Sequence, residues 1–376
     1  SSPPPFSSSL SQADAAPAAG QPWTTPGDPG RNRRAGLPIS LASSLEAGPQ
    51  PRGRPHRGMD FLWIAVAVVL LLIIFFWFLR PYWDWRETCR RPLEQEVVKT
   101  SFQCAPGELV PPAWRPPAIT LSVVVPAFNE EYRLPQMLDE TLAYLEGRAT
   151  ASSLGFSYEV LVVDDGSTDG TYAAALSSRQ PSRSNGELRV MRLGFNRGKG
   201  FAVRAGMLAA RGQLLLMADA DGATSIRDLE RLEQALGRDE DASGVQIAFG
   251  SRHHLKEDAL AKRSAVRNLL MIGFHFAVWM LVGGPVHDTQ CGFKLFRASV
   301  GKQIFASLHL YRWAFDIEIC ILARLMGKEI AEVPVTWVEM PGSKLNLLTG
   351  AITMLRDMAL VQVLYFLNVW RPSVAA

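Results

Sequence analysis

Cysteine is scarce in this chain, and its copies lie far apart. Cys89, Cys104, Cys291 and Cys320 are the only four in 376 residues, and no C-x-x-C pair occurs. That argues against a redox or thiolate-metal motif and leaves free thiols facing a reducing compartment as the expected state. Histidine supplies no substitute: His253, His254, His275, His287 and His309 show no ligand spacing and read as structural. An excess of one charge is missing too. Lys and Arg number 39 against 36 Asp and Glu, a net charge of +3, which argues against nucleic acid as a partner. No internal repeat of fixed period is visible, so a solenoid or propeller is not expected.

What the chain does have is 48% hydrophobic and 20% charged residues, enough for a globular domain of ordinary size with something added. Residues 1–58 are rich in Pro, Ser, Ala, Gly and Arg without hydrophobic periodicity, and are expected to be disordered. The first methionine, Met59, stands directly before an apolar run. We expect it to be the natural start, with 1–58 an extension outside the native chain; a transit or regulatory tail is the alternative.

The run itself, Phe61 to Leu79, is 19 uncharged residues. At about 1.5 Å per residue it nearly crosses a hydrocarbon core of about 30 Å. Trp77 and Phe78 at its end, with Arg80, Pro81, Tyr82 and Trp83 after it, form an aromatic and basic belt where a cleaved signal would carry small residues. Residues 59–80 therefore read as a single-pass N-terminal anchor. Arg80, Arg86, Arg90 and Arg91 put the flanking positive charge on the C-terminal side, and so the main domain in the cytosol; a native extension would blunt this through Arg52, Arg54 and Arg57. Residues 81–118, with the Pro-rich "PGELVPPAWRPP", read as a stiff juxtamembrane linker.

From about residue 119 to 340 short apolar runs alternate with helical patterns. Strands are expected at 121–128, 158–165, 188–194 and 212–219, continuous in apolar residues as in a parallel sheet buried on both faces, with helices at 131–146, 168–179, 199–211 and 225–237. The fold class is α/β, a Rossmann-like, mostly parallel sheet of nucleotide-binding type. In such sheets ligands gather at the carboxyl ends of the strands. Here all four strands run into polar, glycine-rich or acidic turns: "VVPAFNEE", "VVDDGSTDGT", "GFNRGKG" and "MADADGATS". Each alone is explicable as a turn or a helix cap; the set of four points to a site.

Asp219 and Asp221, one residue apart at the end of an apolar run, are expected to point to the same side of an extended chain. Two adjacent carboxylates resist joint ionisation unless a cation lies between them. Hard oxygen ligands suit Mg²⁺ or Mn²⁺, with the remaining ligands taken from water and a substrate diphosphate. Arg197 and Lys199, set among glycines at a helix start, suit the anion.

These stretches, with "NRGKGFAVRAG", "GSR" and "DTQCGFKLF", resemble the inverting glycosyltransferases of family two, which have the nucleotide-diphospho-sugar (GT-A) fold. "RNLLMIGFHFAVWML", "RWAFDIEI" and "EVPVTWVEMPGSKL" resemble, more narrowly, the branch that glucosylates dolichyl phosphate at the endoplasmic reticulum, over roughly 62–370. The resemblance implies UDP-glucose as donor, dolichyl phosphate as acceptor, and dolichyl β-D-glucosyl phosphate for N-glycosylation as product. It implies that Pro126, Asn129, Glu130, Asp164 and Asp165 bind the uridine and ribose, that Asp219 and Asp221 hold the metal with Asp221 the more direct ligand, and that Ser251, Arg252 and Arg267 receive the acceptor phosphate. Asp288 stands where relatives place a base, and is assigned first an orienting role. A dolichyl-phosphate mannosyltransferase using GDP-mannose, and an inactive nucleotide-sugar-binding scaffold, are the alternatives. A phosphatase reading of "DADGAT" fails because three motif-bearing strands precede it.

A polyprenyl acceptor of the kind the resemblance implies stays in the bilayer, so its phosphate must meet the site at the interface, and the anchor supplies that proximity. "NLLMIGFHFAVWMLVGGPV" at 268–286 is short for a span and reads as interfacial. Residues 341–376 are apolar but interrupted by Arg356 and Asp357, so interfacial or homo-oligomeric packing is expected there rather than a second crossing.

Overall fold

The computed structural model describes residues 57–88, 97–100, 117–152, 155–178, 186–237, 244–255, 286–340 and 347–372. Arg267, all of the 268–286 segment but Val286, Cys89, Cys104, His275, most of the Pro-rich spacer and nearly all of 1–58 lie outside the described residues.

Helix α1 (Arg57–Thr88) carries the apolar run expected as an anchor and continues through Pro81 for two further turns. Strand β1 (Val97–Thr100) then joins the sheet, so the segment expected as linker contributes an edge strand. The order that follows is β2 (Ile119–Ala127), α2 (Leu134–Ala151), β3 (Tyr158–Asp164), α3 (Thr171–Ser177), β4 (Gly186–Leu193), α4 (Lys199–Ala209), β5 (Gly212–Met217), α5 (Leu229–Leu236), β6 (Val245–Ser251), β7 (Lys294–Arg297), α6 (Ala298–Ala306), α7 (Phe315–Leu325), β8 (Glu329–Pro334) and α8 (Leu347–Phe366).

One mixed sheet of eight strands, in the order β1-β4-β3-β2-β5-β7-β6-β8, holds these together. β2 pairs parallel with β3 and with β5, and β3 pairs parallel with β4, as the alternating pattern requires. β7 runs antiparallel to both β5 and β6, and β6 pairs parallel with β8. The fold is thus the GT-A-type, mostly parallel mixed sheet that the residues implied.

The period of two along each strand divides the core between the faces. Val123 and Val125 pack with Leu138, Leu142 and Leu145 of α2 and with α5. Val124, Leu161 and Val163 pack on the other side with Phe201, Ala205, Leu208 and the helices α6 and α7. In α2 the buried Leu134, Met137, Leu138, Thr141, Leu142 and Leu145 recur at three- and four-residue spacing, the signature of a helix with one apolar face. Strand β3 is buried throughout and includes Glu159, which accepts from Ser122 Oγ (2.5 Å), Arg189 Nη1 (2.7 Å) and Arg211 Nε (2.9 Å). A buried carboxylate is tolerated there because two guanidinium groups and a hydroxyl satisfy it. It lies toward the strand starts, away from the acidic turns.

Helix α8 extends the core. Met358, Leu360, Val361, Leu364 and Tyr365 are buried in it, while Phe78, Leu79, Tyr82 and Trp85 of α1 pack against the same cluster. Arg356 links the two helices: its guanidinium lies 4.7 Å from the Trp77 ring centroid and pairs with Asp357 at 2.6 Å. The 341–376 segment is therefore partly core, although Ile352, Phe366, Leu367 and Val369 remain exposed.

Candidate active site

The acidic motif sits where β5 stops. The strand ends at Met217 and a turn occupies 220–221, so Asp219 and Asp221 are not successive outward residues of a strand. What brings them together is the turn. Asp221 Oδ1 accepts from Ala223 N (3.0 Å), Gly222 adopts φ 70°, and Val338 N donates to Ala223 O (2.9 Å), clamping the turn onto the segment after β8. Asp219 Oδ1 lies 2.6 Å from Lys199 Nζ. Lys199 opens α4 directly after Gly198, whose φ of 105° is one that L side chains rarely adopt.

The two carboxylates are held in different electrostatic states. Burial raises the pKa of Asp219, but Lys199, with help from Lys294 and Arg252, outweighs it and holds the group below the usual carboxylate range. Asp221 is pushed up, first by burial and then by the charge of Asp219. A cation between them would relieve that second penalty, which is the observation that fits a divalent metal. Among the described residues no cluster of three or more His, Cys, Asp and Glu is present. Two carboxylates alone suit a hard ion that completes its shell with water and diphosphate oxygens.

Four residues behind this turn were not singled out from the sequence. Gly292, in "DTQCGFKLF", leaves room for the Asp219 carboxylate: a Cβ there would overlap it. Lys294, fully buried, pairs with Asp316 at 2.6 Å and donates to Cys291 O. Glu332 Oε1 accepts from Asp288 N (2.9 Å) and its Oε2 from His287 N (2.9 Å). The available signal was a Lys in the apolar run "GFKLF" and an Asp in "AFDIEI"; a charge in a buried run needs a partner. Nothing local named the partner.

Asp288 and Arg252 form one unit. Asp288 accepts from Arg252 Nε (2.8 Å), Nη2 (2.9 Å) and backbone N (2.9 Å). Burial opposes ionisation, but this bidentate pair prevails and lowers the Asp288 pKa to about 2. Such a group is a poor proton acceptor near neutral pH and a good orienter of the guanidinium. Ser251, buried at the end of β6, accepts from His253 N (3.2 Å). The Arg252 guanidinium also lies 5.5 Å from the Trp337 ring centroid.

The three other strand ends knit to one another. Asn129, at φ 55°, accepts from Thr168 N (2.9 Å) through its side chain, and its N–H donates to Ser167 Oγ (2.9 Å). Pro126 is paired within β2 opposite Val163. Asp164 Oδ1 accepts from Ser167 N (2.9 Å), with Arg192 Nε 3.3 Å from Oδ2. Two further residues expected at the nucleotide make contacts of their own. Glu130 takes both Nε and Nη2 of Arg133, each at 2.6 Å. Asp165 accepts from Arg197 N and Gly198 N, both at 2.8 Å, and burial raises its pKa to about 6. Asp165 thus shapes the glycine-rich loop that precedes Lys199. Arg197 lies with its guanidinium 4.0 Å from the Phe195 ring centroid. Asp219, Asp221 and Lys199 come together, as do Ser251, Arg252 and Asp288, and Asn129 and Glu130 adjoin the turn after β3.

Comparison with known proteins shows the family. The family described as Glycosyl transferase family 2 matches residues 122–305. The chain is 49% identical over 261 residues to a dolichyl-phosphate beta-glucosyltransferase of Drosophila melanogaster, covering 68% of this chain and 78% of the relative. It is 46% identical over 265 residues to the Homo sapiens protein of the same name, covering 70% and 81%. Among solved structures it is similar to glucosyl-3-phosphoglycerate synthase from Mycobacterium tuberculosis in complex with UDP, at 21% identity and TM-score 0.45, covering 66% of this chain and 80% of that one. With two relatives above 45% identity over most of their length, the chain belongs to the dolichyl-phosphate β-glucosyltransferases, within glycosyl transferase family 2.

Proposed function

We propose that this protein transfers glucose from UDP-glucose to dolichyl phosphate with inversion, yielding dolichyl β-D-glucosyl phosphate, at the cytosolic face of the endoplasmic reticulum membrane. The observation that carries the reading is the identity of 49% over 261 residues to a relative of that name. Mg²⁺ or Mn²⁺ bound by Asp221 and Asp219 would offset the charge that builds on the departing diphosphate.

The chain's own residues do the rest. Lys199 holds Asp219 ionised and oriented. Asn129, Asp164 and the loop shaped by Asp165 line the strand ends where the nucleotide belongs. The acceptor is a phosphate monoester whose second pKa is about 6, so near pH 7 its oxygen attacks without losing a proton to the enzyme. That oxygen forms a bond to the anomeric carbon as the bond to UDP breaks and its electron pair leaves with the diphosphate. One in-line displacement inverts an α-glucoside to a β-glucoside. Arg252, aimed by Asp288, supplies positive charge for the incoming phosphate, with Ser251 beside it.

The test is transfer of radiolabel to dolichyl phosphate in detergent, UDP-glucose against GDP-mannose, with Mg²⁺ or Mn²⁺ and in EDTA. Glucolipid that requires metal, and that Asp221→Asn reduces by at least about 100-fold, is the expected result. Mannolipid would overturn the sugar, and no lipid product from folded protein would favour a scaffold. Protease protection in sealed microsomes checks the orientation: cleavage of the catalytic domain from outside is expected.

A further inference from the structure

A cavity of about 690 Å³ opens where the end of the apolar span meets the catalytic domain. Trp77 and Trp85 of α1, Phe195 of the loop before α4, Arg312, Trp313 and Met354 of α8 are among the residues that line it. Its placement has three independent features. The exposed apolar surface of α1 runs from Trp63 to Trp77, and Trp77 itself lines the cavity, so the mouth lies at the end of the apolar span, at the level of a bilayer's interface. Indole rings line it, and they favour the boundary between apolar chain and polar head. Four guanidinium groups, Arg80, Arg197, Arg312 and Arg356, line it against three carboxylates, Asp84, Glu87 and Asp357. Arg80 stands 3.9 Å from Asp84 and Arg356 2.6 Å from Asp357, whereas Arg312 makes no hydrogen bond or ion pair among the described residues and acts only at longer range on Asp165 and Asp357. An exposed guanidinium without a partner, between aromatic walls, suits an anion carried on a hydrocarbon chain. The cavity also adjoins the reaction centre: the Trp313 ring centroid lies 6.0 Å from Lys199 Nζ, the group that holds Asp219.

We propose that this cavity seats the phosphate head of a membrane lipid, with Arg312 as its charged partner and Trp85 and Trp313 against the first apolar carbons. Identifying that lipid with the acceptor rests on the function proposed above; recognition of a lipid phosphate does not. The site is distinct from Arg252 and Ser251, and it would receive the acceptor on the membrane side of the catalytic turn.

The experiment uses the full chain in detergent without donor, and measures retention of radiolabelled dolichyl phosphate, of radiolabelled phosphatidic acid and of inorganic phosphate. Wild type is compared with Arg312→Gln, which removes the charge, and Met354→Trp, which fills the cavity. UDP-glucose affinity and melting temperature, each expected within about twofold or a few degrees of wild type, report an intact fold. At least a fivefold loss of dolichyl phosphate in both variants, with an equal rise in its KM, establishes the acceptor seat. A loss confined to phosphatidic acid keeps the lipid-phosphate site and assigns it to bulk lipid. Inorganic phosphate retained as tightly as either lipid, or wild-type retention of both lipids by both variants, overturns the proposal. If wild type retains dolichyl phosphate in this Arg312-dependent way but never glucosylates it, the function reading fails and the cavity assignment stands.

Discussion

At the scale of single residues, the carboxylates of the candidate site are held in different states by different surroundings. Asp288 is held ionised by Arg252, and its pKa is lowered to about 2. Because the folded value lies below the unfolded one, its contribution to stability is present above about pH 4 and is lost as pH falls through about 2. That contribution is roughly 2 kcal/mol from the size of the shift. The consequence for catalysis is that Asp288 does not titrate in the working range. Asp288→Asn should lower kcat by about 10- to 100-fold without moving the acid limb of the kcat/KM profile, which follows the acceptor phosphate near pH 6; a limb that shifts in the variant would make Asp288 the base. Gly292 makes a steric prediction. Gly292→Ala must displace the Asp219 carboxylate, so metal-dependent transfer should fall at least about tenfold while the melting temperature in detergent changes by only a few degrees, and unaltered activity would refute the packing.

At the scale of elements, the site is assembled by strand ends and by the contacts behind them. The turn after β5 meets the start of α4 through Lys199 and Asp219, and it meets the segment after β8 through Ala223 and Val338. Helix α8 closes the far side with a buried polar knot. Glu318 accepts from His309 N (3.0 Å), Leu310 N (2.6 Å) and Tyr365 Oη (2.8 Å), and the Trp370 ring stacks on His309 at 4.2 Å. Trp370 is 1% exposed. Trp370→Ala should cost about 3–5 kcal/mol through the cavity it leaves, and Tyr365→Phe about 1–2 kcal/mol through the donor removed from Glu318. Chemical denaturation in detergent checks both, and a Trp370→Ala loss below 1 kcal/mol would mean that α8 is not part of the folded core.

At the scale of the whole molecule, one feature stands apart from the catalytic fold. Trp63–Glu87 is, among the described residues, one helix long and apolar enough to cross a membrane, and none of its apolar stretch is buried. Leu71 is 65% exposed and Ile74 58%. Surface of that kind requires lipid or a partner. The chain should therefore stay with membranes through alkaline carbonate extraction. A Leu71→Arg, Ile74→Arg double variant, costing about 2.5–3.5 kcal/mol per arginine at mid-bilayer, should move into the soluble fraction. Retention of the double variant would show that α8 and the interfacial surface, rather than α1, hold the protein to the bilayer.

How much of this was legible from residues alone follows the range of the forces involved. Strands β2 to β5 and the helices between them could be read because period and apolar runs are local properties of the chain. The acidic turn could be read because paired carboxylates after an apolar run are costly without a cation. Strands β7 and β8 could not, since their places beside β5 and β6 depend on residues some 80 positions away in sequence. The contacts that Glu130 makes with Arg133, and Asp165 with the loop before Lys199, were not legible either, because those partners meet only in the folded chain. Composition and order therefore determined the class of fold and marked the apolar helix and the acidic turns at the strand ends. Only the tertiary structure decided which charges face one another, because Lys199 with Asp219, Lys294 with Asp316 and Arg252 with Asp288 become neighbours only after the sheet has closed.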